Sequence, residues 1–163
     1  MTRLLIVSDT HGNVGKLDDL IRKYDKQYEY LIHLGDRSYD ILSLQENIGN
    51  LISVKGNIEG QSTGLSRDNT PYEVLVELDG VKVFVTHGHR YSVKSTLIFL
   101  KKQAKKLGAN LVLFGHTHEK YLEIEDDIMY FNPGALTDND YGYISLDNGE
   151  IVSIEHVYLS ERW

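Results

Sequence analysis

Two short motifs near opposite ends of the chain contain residues that could bind a divalent cation. Asp9 and His11 stand two positions apart near the start, and His116 and His118 stand two positions apart in the stretch LFGHTHEK. Alternate residues of an extended segment point the same way, so each pair could act on one ion. A histidine pair alone is more often an ordinary loop or turn. The interpretation therefore depends on whether the rest of the chain supplies further ligands.

Further ligand-competent residues follow other apolar runs of the sequence. Asp36 follows YLIHLG, Asn57 follows LISVKG, and His87 follows VKVFVT. The chain has no cysteine, so any metal must be held by nitrogen and oxygen ligands. Seven ligands are too many for one tetrahedral ion and suit two ions that share a bridging carboxylate. The candidate ligands are Asp9, His11, Asp36, Asn57, His87, His116 and His118.

The elements that must position these residues are predicted to alternate strand and helix. Apolar runs just before the candidate ligands predict buried strands over residues 3–8, 30–35, 51–56, 81–88 and 110–116. Helices are predicted over residues 13–25, 38–48 and 93–107. Because ligands of α/β sheets bind at the carboxyl ends of the strands, the seven side chains should converge there.

The last part of the chain is predicted to be rich in hairpins. Asp79-Gly80 and Asn148-Gly149 are hairpin turn signals, the first of them between YEVLVELD and VKVFVT. Further strands are expected near residues 120–125, 128–132, 141–146 and 150–158. Strands with helices followed by hairpins predict two β layers that pack on each other and are flanked by helices.

Length, composition and charge limit the classes of protein that need to be considered. A chain of 163 residues, 41% hydrophobic, is expected to form one domain over residues 1–163, alone or as a simple homo-oligomer. No apolar run approaches a membrane span, and the start resembles a strand rather than a signal peptide, so a cytoplasmic protein is predicted. The net charge of −7 argues against extended nucleic acid as a partner. The lysine cluster at 101, 102, 105 and 106 is interpreted as the solvated face of a helix.

The ordered series DTHG, GDR, GN, THGH and GHTH spans nearly the whole chain and resembles the calcineurin-like metallophosphoesterase superfamily. The short chain with NPGALT near its end is similar to the YfcE-type prokaryotic phosphodiesterases. The resemblance implies an α/β fold, α+β in some schemes, built as a four-layer αββα sandwich. It also implies that Asp36 is shared by two ions, one held with Asp9, His11 and His118, the other with Asn57, His87 and His116.

The same resemblance implies a divalent-metal-dependent phosphodiesterase that acts on a small phosphate ester. The attacking group would be a hydroxide that bridges the two ions. Mn²⁺ is the first choice of metal, with Fe, Zn and Ni as alternatives, because mixed nitrogen and oxygen ligands do not select one metal. The predicted catalytic residues are Asp36, Asn57 and His89.

Two residues beside the candidate ligands could contact the substrate. His89 either orients substrate or supports His87, and Arg37 either clasps a phosphate oxygen or forms an ordinary surface salt bridge. By the resemblance, many relatives carry a histidine after the ligand asparagine that either protonates the leaving group or stabilises the transition state, whereas this chain has Ile58. The leaving group should therefore matter strongly unless His89, Glu59 or water supplies the proton.

The sequence also leaves open two alternatives to a phosphodiesterase. A non-catalytic protein-binding scaffold on the same fold, as in a retromer subunit, would not need all seven ligands, and a nuclease would normally need added basic surface. His33 is interpreted as a core histidine and His156 as exposed. Asn132-Pro133-Gly134 is read as a turn, and the family resemblance alone would make it a wall of the substrate site. The acidic residues at 123–127 are read as a solvated hairpin and residues 58–71 as a surface loop.

Overall fold

The computed structural model of the protein describes residues 1–36, 50–56 and 70–160. These residues contain ten strands, two α-helices and two short 3₁₀ turns, the latter at His89–Tyr91 and Leu136–Asp138. The helices are α1 (Val14–Lys23) and α2 (Ile98–Leu107). The strands are β1 (Thr2–Val7), β2 (Tyr30–His33), β3 (Asn50–Ser53), β4 (Glu73–Leu78), β5 (Val81–Thr86), β6 (Leu111–Leu113), β7 (Tyr121–Glu125), β8 (Ile128–Asn132), β9 (Asp140–Asp147) and β10 (Glu150–Tyr158).

The strands form two five-stranded sheets, each with a parallel centre. The first has the order β10-β9-β1-β2-β3, in which β1, β2 and β3 are parallel and β9 and β10 add a hairpin. The second has the order β4-β5-β6-β8-β7, in which β5, β6 and β8 are parallel. The antiparallel strands β4 and β7 form its edges. Each sheet thus presents several parallel carboxyl ends at one edge.

The two sheets pack face to face and a helix covers each outer face. Alternate residues of β1 show why, since Leu4 and Ile6 pack between the sheets while Leu5 and Val7 pack under α1. On the other side, Phe84 and Val112 pack against Leu100 of α2. The central strands are apolar on both faces because both faces are buried. The four-layer αββα prediction is confirmed.

The boundaries of several elements differ from the predictions. The helix predicted over residues 93–107 begins at Ile98, because the preceding residues form turns around Ser92, whose φ is 55°, and Thr96 Oγ1 accepts a hydrogen bond from Ile98 N. The strands before the candidate ligands end earlier than predicted, since Gly35, Gly88 and His116 have positive φ and turn the chain out of the sheet. The predicted helix at 38–48 and most of the loop at 58–71 lie outside the described residues.

The prediction of an acidic hairpin agrees with the structure. The acidic residues near 123–127 form the β7–β8 hairpin, in which Lys101 pairs with Glu123 and Lys105 pairs with Asp126. Lys101 also lies 3.5 Å from Glu125, so three of the four acidic side chains have a lysine partner. Within the described ranges, no helix is long and apolar enough to cross a membrane.

Candidate metal centre

Asp9 lies just beyond the end of β1 and is fully buried. Its backbone N donates to the carbonyl of Gly35 (3.0 Å), which ties it to the end of β2. Ser8 Oγ donates to Asp9 Oδ2 at 2.5 Å. The second carboxylate oxygen, Oδ1, faces the imidazoles of His118 (Nε2, 3.2 Å) and His11 (Nε2, 3.7 Å). One oxygen of Asp9 is therefore held by the protein and the other is turned toward potential ligands of a cation.

His87 lies beyond the end of β5 and its ring orientation is fixed by the other sheet. Its Nδ1 donates to the carbonyl of Leu34 (2.7 Å), because a carbonyl oxygen can only accept. His87 Nε2 then points to Asp36 Oδ2 (3.3 Å) and to His116 Nδ1 (3.1 Å). This is the arrangement in which a backbone carbonyl sets the tautomer and leaves Nε2 to bind a metal.

Six of the seven predicted ligands come together in two groups of side chains. In the first, which we call the Asp9 group, the ligand atoms of Asp9, His11, Asp36 and His118 all lie within 4.8 Å of one another. In the second, the His87 group, the same holds for Asp36, His87 and His116. Asp36 belongs to both groups. The seventh predicted ligand, Asn57, lies outside the described residues, as does Arg37.

Five of these residues have a left-handed backbone conformation. The φ angles are between 47° and 69° for Asp9, His11, Asp36, His116 and His118. The expectation that each i, i+2 pair lies on an extended segment is therefore wrong, because the chain turns at every one of these positions. Non-glycine residues adopt such angles rarely, and Asp, Asn and His do so more readily than most. Unfavourable backbone angles of this kind tend to cluster at functional sites.

Glycines let the loops of the centre approach one another closely. Gly35 has a φ of 104°, and a Cβ there would lie 2.8 Å from both Gly56 N and His87 Nδ1. A Cβ on Gly115 would lie 2.2 Å from Ser8 Oγ, which holds Asp9. A side chain at either position would push apart the segments that carry the candidate ligands.

The electrostatics of the centre fit a cation between these groups. Asp9 Oδ1 and His11 Nε2 are buried and have no hydrogen-bond partner among the described residues. Burial raises the pKa of Asp9, and the nearby charge of His87 opposes this rise. For His87, burial lowers the pKa but the hydrogen bond to Asp36 and the charges of Asp9 and Asp36 outweigh it, so its pKa is raised. Buried carboxylates that face imidazoles with free nitrogen atoms are a donor set that divalent metals prefer.

His116 titrates differently from its neighbour. Burial, together with the charges of His87 and Lys94, lowers the pKa of His116 to about 4. Its ring is therefore neutral near pH 7, as a metal-binding imidazole must be. A cation would replace the proton that His87 attracts.

Buried polar residues outside the ligand set hold the loops in place. His33 accepts a hydrogen bond from Gly35 N at Nδ1 (3.1 Å), which leaves Nε2 to donate to Thr10 Oγ1 (3.3 Å). Burial and the charge of His87 lower the pKa of His33 to about 3, so the ring stays neutral. The interpretation of His33 as a core histidine is confirmed, and its contacts show that it braces the loops after β1 and β2.

Asn132 is a supporting residue whose role the sequence did not reveal. Its Nδ2 donates to Gly115 O (3.1 Å) and Thr117 Oγ1 (3.0 Å), and its Oδ1 accepts from Gly134 N (2.9 Å). The side chain thereby fixes the loop that carries His116 and His118. The sequence signal was the turn Asn132-Pro133-Gly134, which indicated a local bend and nothing about a distant loop.

The prediction that His156 is exposed is wrong. Its ring is half-buried and stacks on Phe131, with the ring centroids 4.5 Å apart. His156 Nε2 donates to the carbonyl of Asn132 (2.8 Å). The pairing of β10 with β9 brings this histidine to the Asn132 turn, and no local pattern in the sequence reports that contact.

His89 lies in the 3₁₀ turn His89–Tyr91, next to the His87 group. Its half-buried ring is 5.5 Å from that of His87 and 6.1 Å from that of His116, measured between centroids. On another side it faces Tyr72 at 5.8 Å. This position is compatible with either predicted role, contact with substrate or support of His87.

Comparison with known proteins shows the family of this chain. The model of the calcineurin-like phosphoesterase superfamily domain matches residues 2–147. The chain belongs to the calcineurin-like phosphoesterase superfamily. Among members of this superfamily, a phosphodiesterase of Methanocaldococcus jannaschii is 34% identical over 140 residues, which cover 79% of this chain and 81% of that protein. The phosphodiesterase YfcE of Escherichia coli is 25% identical over 178 residues, covering 94% and 91% of the two chains.

Solved structures similar to this superfamily member include an enzyme and a sorting protein. An archaeal phosphodiesterase superposes with a TM-score of 0.76 at 27% identity, covering 97% of this chain and all of the other. Vacuolar protein sorting 29 of Cryptosporidium parvum superposes with a TM-score of 0.72 at 15% identity, covering 98% of each chain. At that identity the second likeness shows the fold alone.

Proposed function

We propose that this protein is a metal-dependent phosphodiesterase that hydrolyses a small phosphate ester, with residues 1–163 forming one catalytic domain. The observation that carries the proposal is the membership of Asp36 in both ligand groups. A carboxylate between two sets of imidazoles is the expected bridge of a two-metal site. Family membership and the phosphodiesterases among its relatives support the same activity.

The proposed cofactor is a pair of divalent ions, with Mn²⁺ favoured and Fe, Zn or Ni as alternatives. Asp9, His11 and His118 would hold one ion, His87, His116 and Asn57 the other, and Asp36 both. Such ions supply Lewis acidity to phosphate oxygens and lower the pKa of water. Two ions of charge +2 would also reverse the local charge of the Asp9 and Asp36 carboxylates, so that an anionic ester can approach a protein of net charge −7.

The protein's own residues contribute geometry and protonation states. Ser8 and His33 keep the loops of Asp9 and Gly35 in place, and the Leu34 carbonyl keeps His87 Nε2 directed at Asp36. His89 borders the His87 group and is the proposed substrate-contacting side chain, with Arg37 as a second. If Ile58 leaves the leaving group without a proton donor, nitrophenyl esters should react much faster than alkyl monoesters.

The test of the proposal is an assay of purified protein with bis(p-nitrophenyl) phosphate, p-nitrophenyl phosphate and an alkyl monoester, each with and without Mn²⁺. We expect Mn²⁺-dependent hydrolysis that is fastest for the diester. Loss of this activity in Asp36→Asn would exclude a contaminating phosphatase. Hydrolysis that is unaffected by chelation would contradict the proposal.

The alternative function is a protein-binding scaffold on the same fold, and the superposition with a vacuolar sorting protein shows that shared fold. Against it stands the retention of six convergent candidate ligands in the described part of the chain. A metal-loaded protein that hydrolyses none of the esters would favour the scaffold. A cytoplasmic location and a homo-oligomeric state stay predictions, which fractionation and light scattering would test.

A further inference from the structure

A surface cleft of about 410 Å³ lies between the 3₁₀ turn that follows His87 and the helix α2. Its volume falls in the range of sites that hold small organic ligands. Two cations, two aromatic rings, an amide and a hydroxyl line it, and among the described residues no carboxylate does. The lining residues are Arg90, Tyr91, Ser92, Phe99, Lys102 and Gln103.

Arg90 connects the cleft to the candidate metal centre. It follows His89, whose ring faces both His87 and His116. The Tyr72 ring packs near His89 on its other side, and the Arg90 guanidinium lies 4.8 Å from the Tyr72 centroid. A row of rings and one cation therefore leads from the His87 group to the cleft.

The cleft cations differ from other cations of the protein in their pairing. Arg3, Lys101 and Lys105 form ion pairs with carboxylates. In contrast, within residues 1–36, 50–56 and 70–160 no carboxylate oxygen lies within 4.0 Å of the charged groups of Arg90 or Lys102, both of which are exposed. Two cations without a carboxylate partner in the described part of this acidic protein form a local positive patch that can attract a phosphate.

Phe99 adds a ring surface to this charge. It is 55% exposed, whereas the other three phenylalanines, Phe84, Phe114 and Phe131, are at most 1% exposed. Exposed aromatic side chains beside cations are the combination on which nucleobases stack. The wall of the cleft thus has an aromatic face on which a planar group can stack and positive charges that can bind an anionic group.

We propose that this cleft binds the non-reacting half of the substrate, and that this half carries a planar ring and a second anionic group, as a nucleotide does. The inference rests on the proposed function, because it places the reacting phosphorus at the candidate metal centre. Arg90 and Lys102 would bind the second anion and Phe99 would stack on the ring. The cleft then sets specificity for a nucleotide ester over a simple alkyl ester.

Binding tests the cleft without turnover. The Mn²⁺-loaded protein is titrated calorimetrically with thymidine 3′,5′-bisphosphate. We expect Arg90→Gln and Lys102→Gln each to weaken binding about tenfold, the effect of losing one charge-assisted hydrogen bond. Phe99→Ala should weaken binding about fivefold or more. The matched control is Lys106→Gln, an exposed α2 lysine that does not line the cleft, and it should change Kd less than twofold.

Turnover tests the specificity. The 5′-p-nitrophenyl ester of thymidine 3′,5′-bisphosphate, which keeps a free 3′-phosphate as the second anion, is compared with methyl p-nitrophenyl phosphate, which has the same leaving group. The ratio of kcat/KM for the nucleotide ester to that for the methyl ester should exceed one and should fall in Arg90→Gln and Phe99→Ala, but not in Lys106→Gln.

Two outcomes overturn the inference. In the first, the protein hydrolyses both esters, but Arg90→Gln and Phe99→Ala change neither the kcat/KM ratio of the two esters nor the Kd of the bisphosphate. The second is equally tight binding of inorganic phosphate, which would show an anion site without ring recognition. Hydrolysis of neither ester would instead count against the proposed function, while the calorimetric titration would still decide whether the cleft binds the nucleotide.

Discussion

The Asp9 group and the His87 group share Asp36 but are held by the protein to different degrees. In the His87 group the ring of His87 is completely buried and fixed by the Leu34 carbonyl. In the Asp9 group the side chain of His118 is 43% exposed, and His11 Nε2 has no hydrogen-bond partner among the described residues. The fold alone therefore presets the His87 group, whereas the Asp9 group would be completed by the ion that it binds.

The strongest test of the comparison removes the residue that the two groups share. Asp36→Asn keeps the shape and tolerates the positive φ of this position, but it removes the bridging charge. We expect activity to fall about a hundredfold or more, and both ions to be lost. Elemental analysis beside the ester assay measures both effects. Asp126→Asn, at an exposed hairpin position, is the control, and unchanged metal content in Asp36→Asn would refute the bridge.

The difference between the His87 group, which the fold presets, and the Asp9 group, which an ion would complete, should appear in the stability of the metal-free protein. His87→Asn removes a buried hydrogen bond and leaves a void, so the free energy of unfolding should fall by about 2 kcal/mol or more. His118→Asn, at a partly exposed ring, should cost about 0.5 kcal/mol. Urea unfolding of the two variants after chelation gives both values. Equal costs would show that the two halves are equally preset.

The loop that carries His116 and His118 contributes to both halves, and Asn132 should determine its order. Asn132→Ala removes three hydrogen bonds of a buried side chain and should lower the free energy of unfolding by about 1–3 kcal/mol. It should also weaken metal binding by about 10–100-fold. Asn132→Asp keeps the bond from Gly134 N but loses the two donated bonds, so it should fail similarly. Wild-type metal affinity in Asn132→Asp would contradict the role of those bonds.

The pH dependence of stability should report the brace that His33 provides. The folded state binds a proton at His33 with a pKa of about 3, whereas the unfolded chain binds it near 6.5. The contribution of His33 to the free energy of unfolding is therefore complete above pH 6.5. It is lost as the pH falls toward 3, by about 1.4 kcal/mol per pH unit. His33→Asn should lack this pH-dependent contribution. The titration of His116 affects the wild-type protein and the variant equally, so it does not alter the difference between them. Parallel stability curves for the two metal-free proteins would refute the prediction.

Removal of the metal is the mildest perturbation expected. The candidate ligands follow strands whose cores are packed without them, so a chelator should leave the far-UV circular dichroism unchanged. The melting temperature should fall by a few degrees through the loss of linked binding. Outright unfolding on chelation at 25 °C would identify a structural rather than a catalytic metal site.

Much of the fold could be predicted from the sequence because its signals are local. The buried strands are continuous apolar runs, and the hairpin at Asp79-Gly80 has the turn residues that such a connection requires. The convergence of Asp9 and Asp36 followed from the rule that parallel strands of one sheet present their carboxyl ends at one edge. His87 follows a strand of the other sheet and joins them through the packing of the two sheets. That rule needs the order of strands and helices and no distances.

The rest could not be predicted because it depends on contacts between distant segments. The apolar period continues through Val93 and Leu97, but hydrogen bonds of Ser92 and Thr96 delay the start of α2. The role of Asn132 depends on a loop fifteen residues earlier, and that of His156 on the pairing of the last two strands. His116 and His118 were identified as ligands because alternate residues of an extended segment point the same way. Both residues have positive φ, so the segment is not extended.

The left-handed backbone at five of the ligand positions bears on how an inactive form of this protein should be built for work in cells. Alanine, valine or isoleucine at these positions would remove a ligand and also place a residue that tolerates positive φ less well than Asp or His, in a region that costs about 1–2 kcal/mol per residue. A loss of phenotype could then reflect reduced protein abundance rather than lost chemistry. Asparagine tolerates the angles found at Asp9, Asp36 and His118, so it separates the two causes.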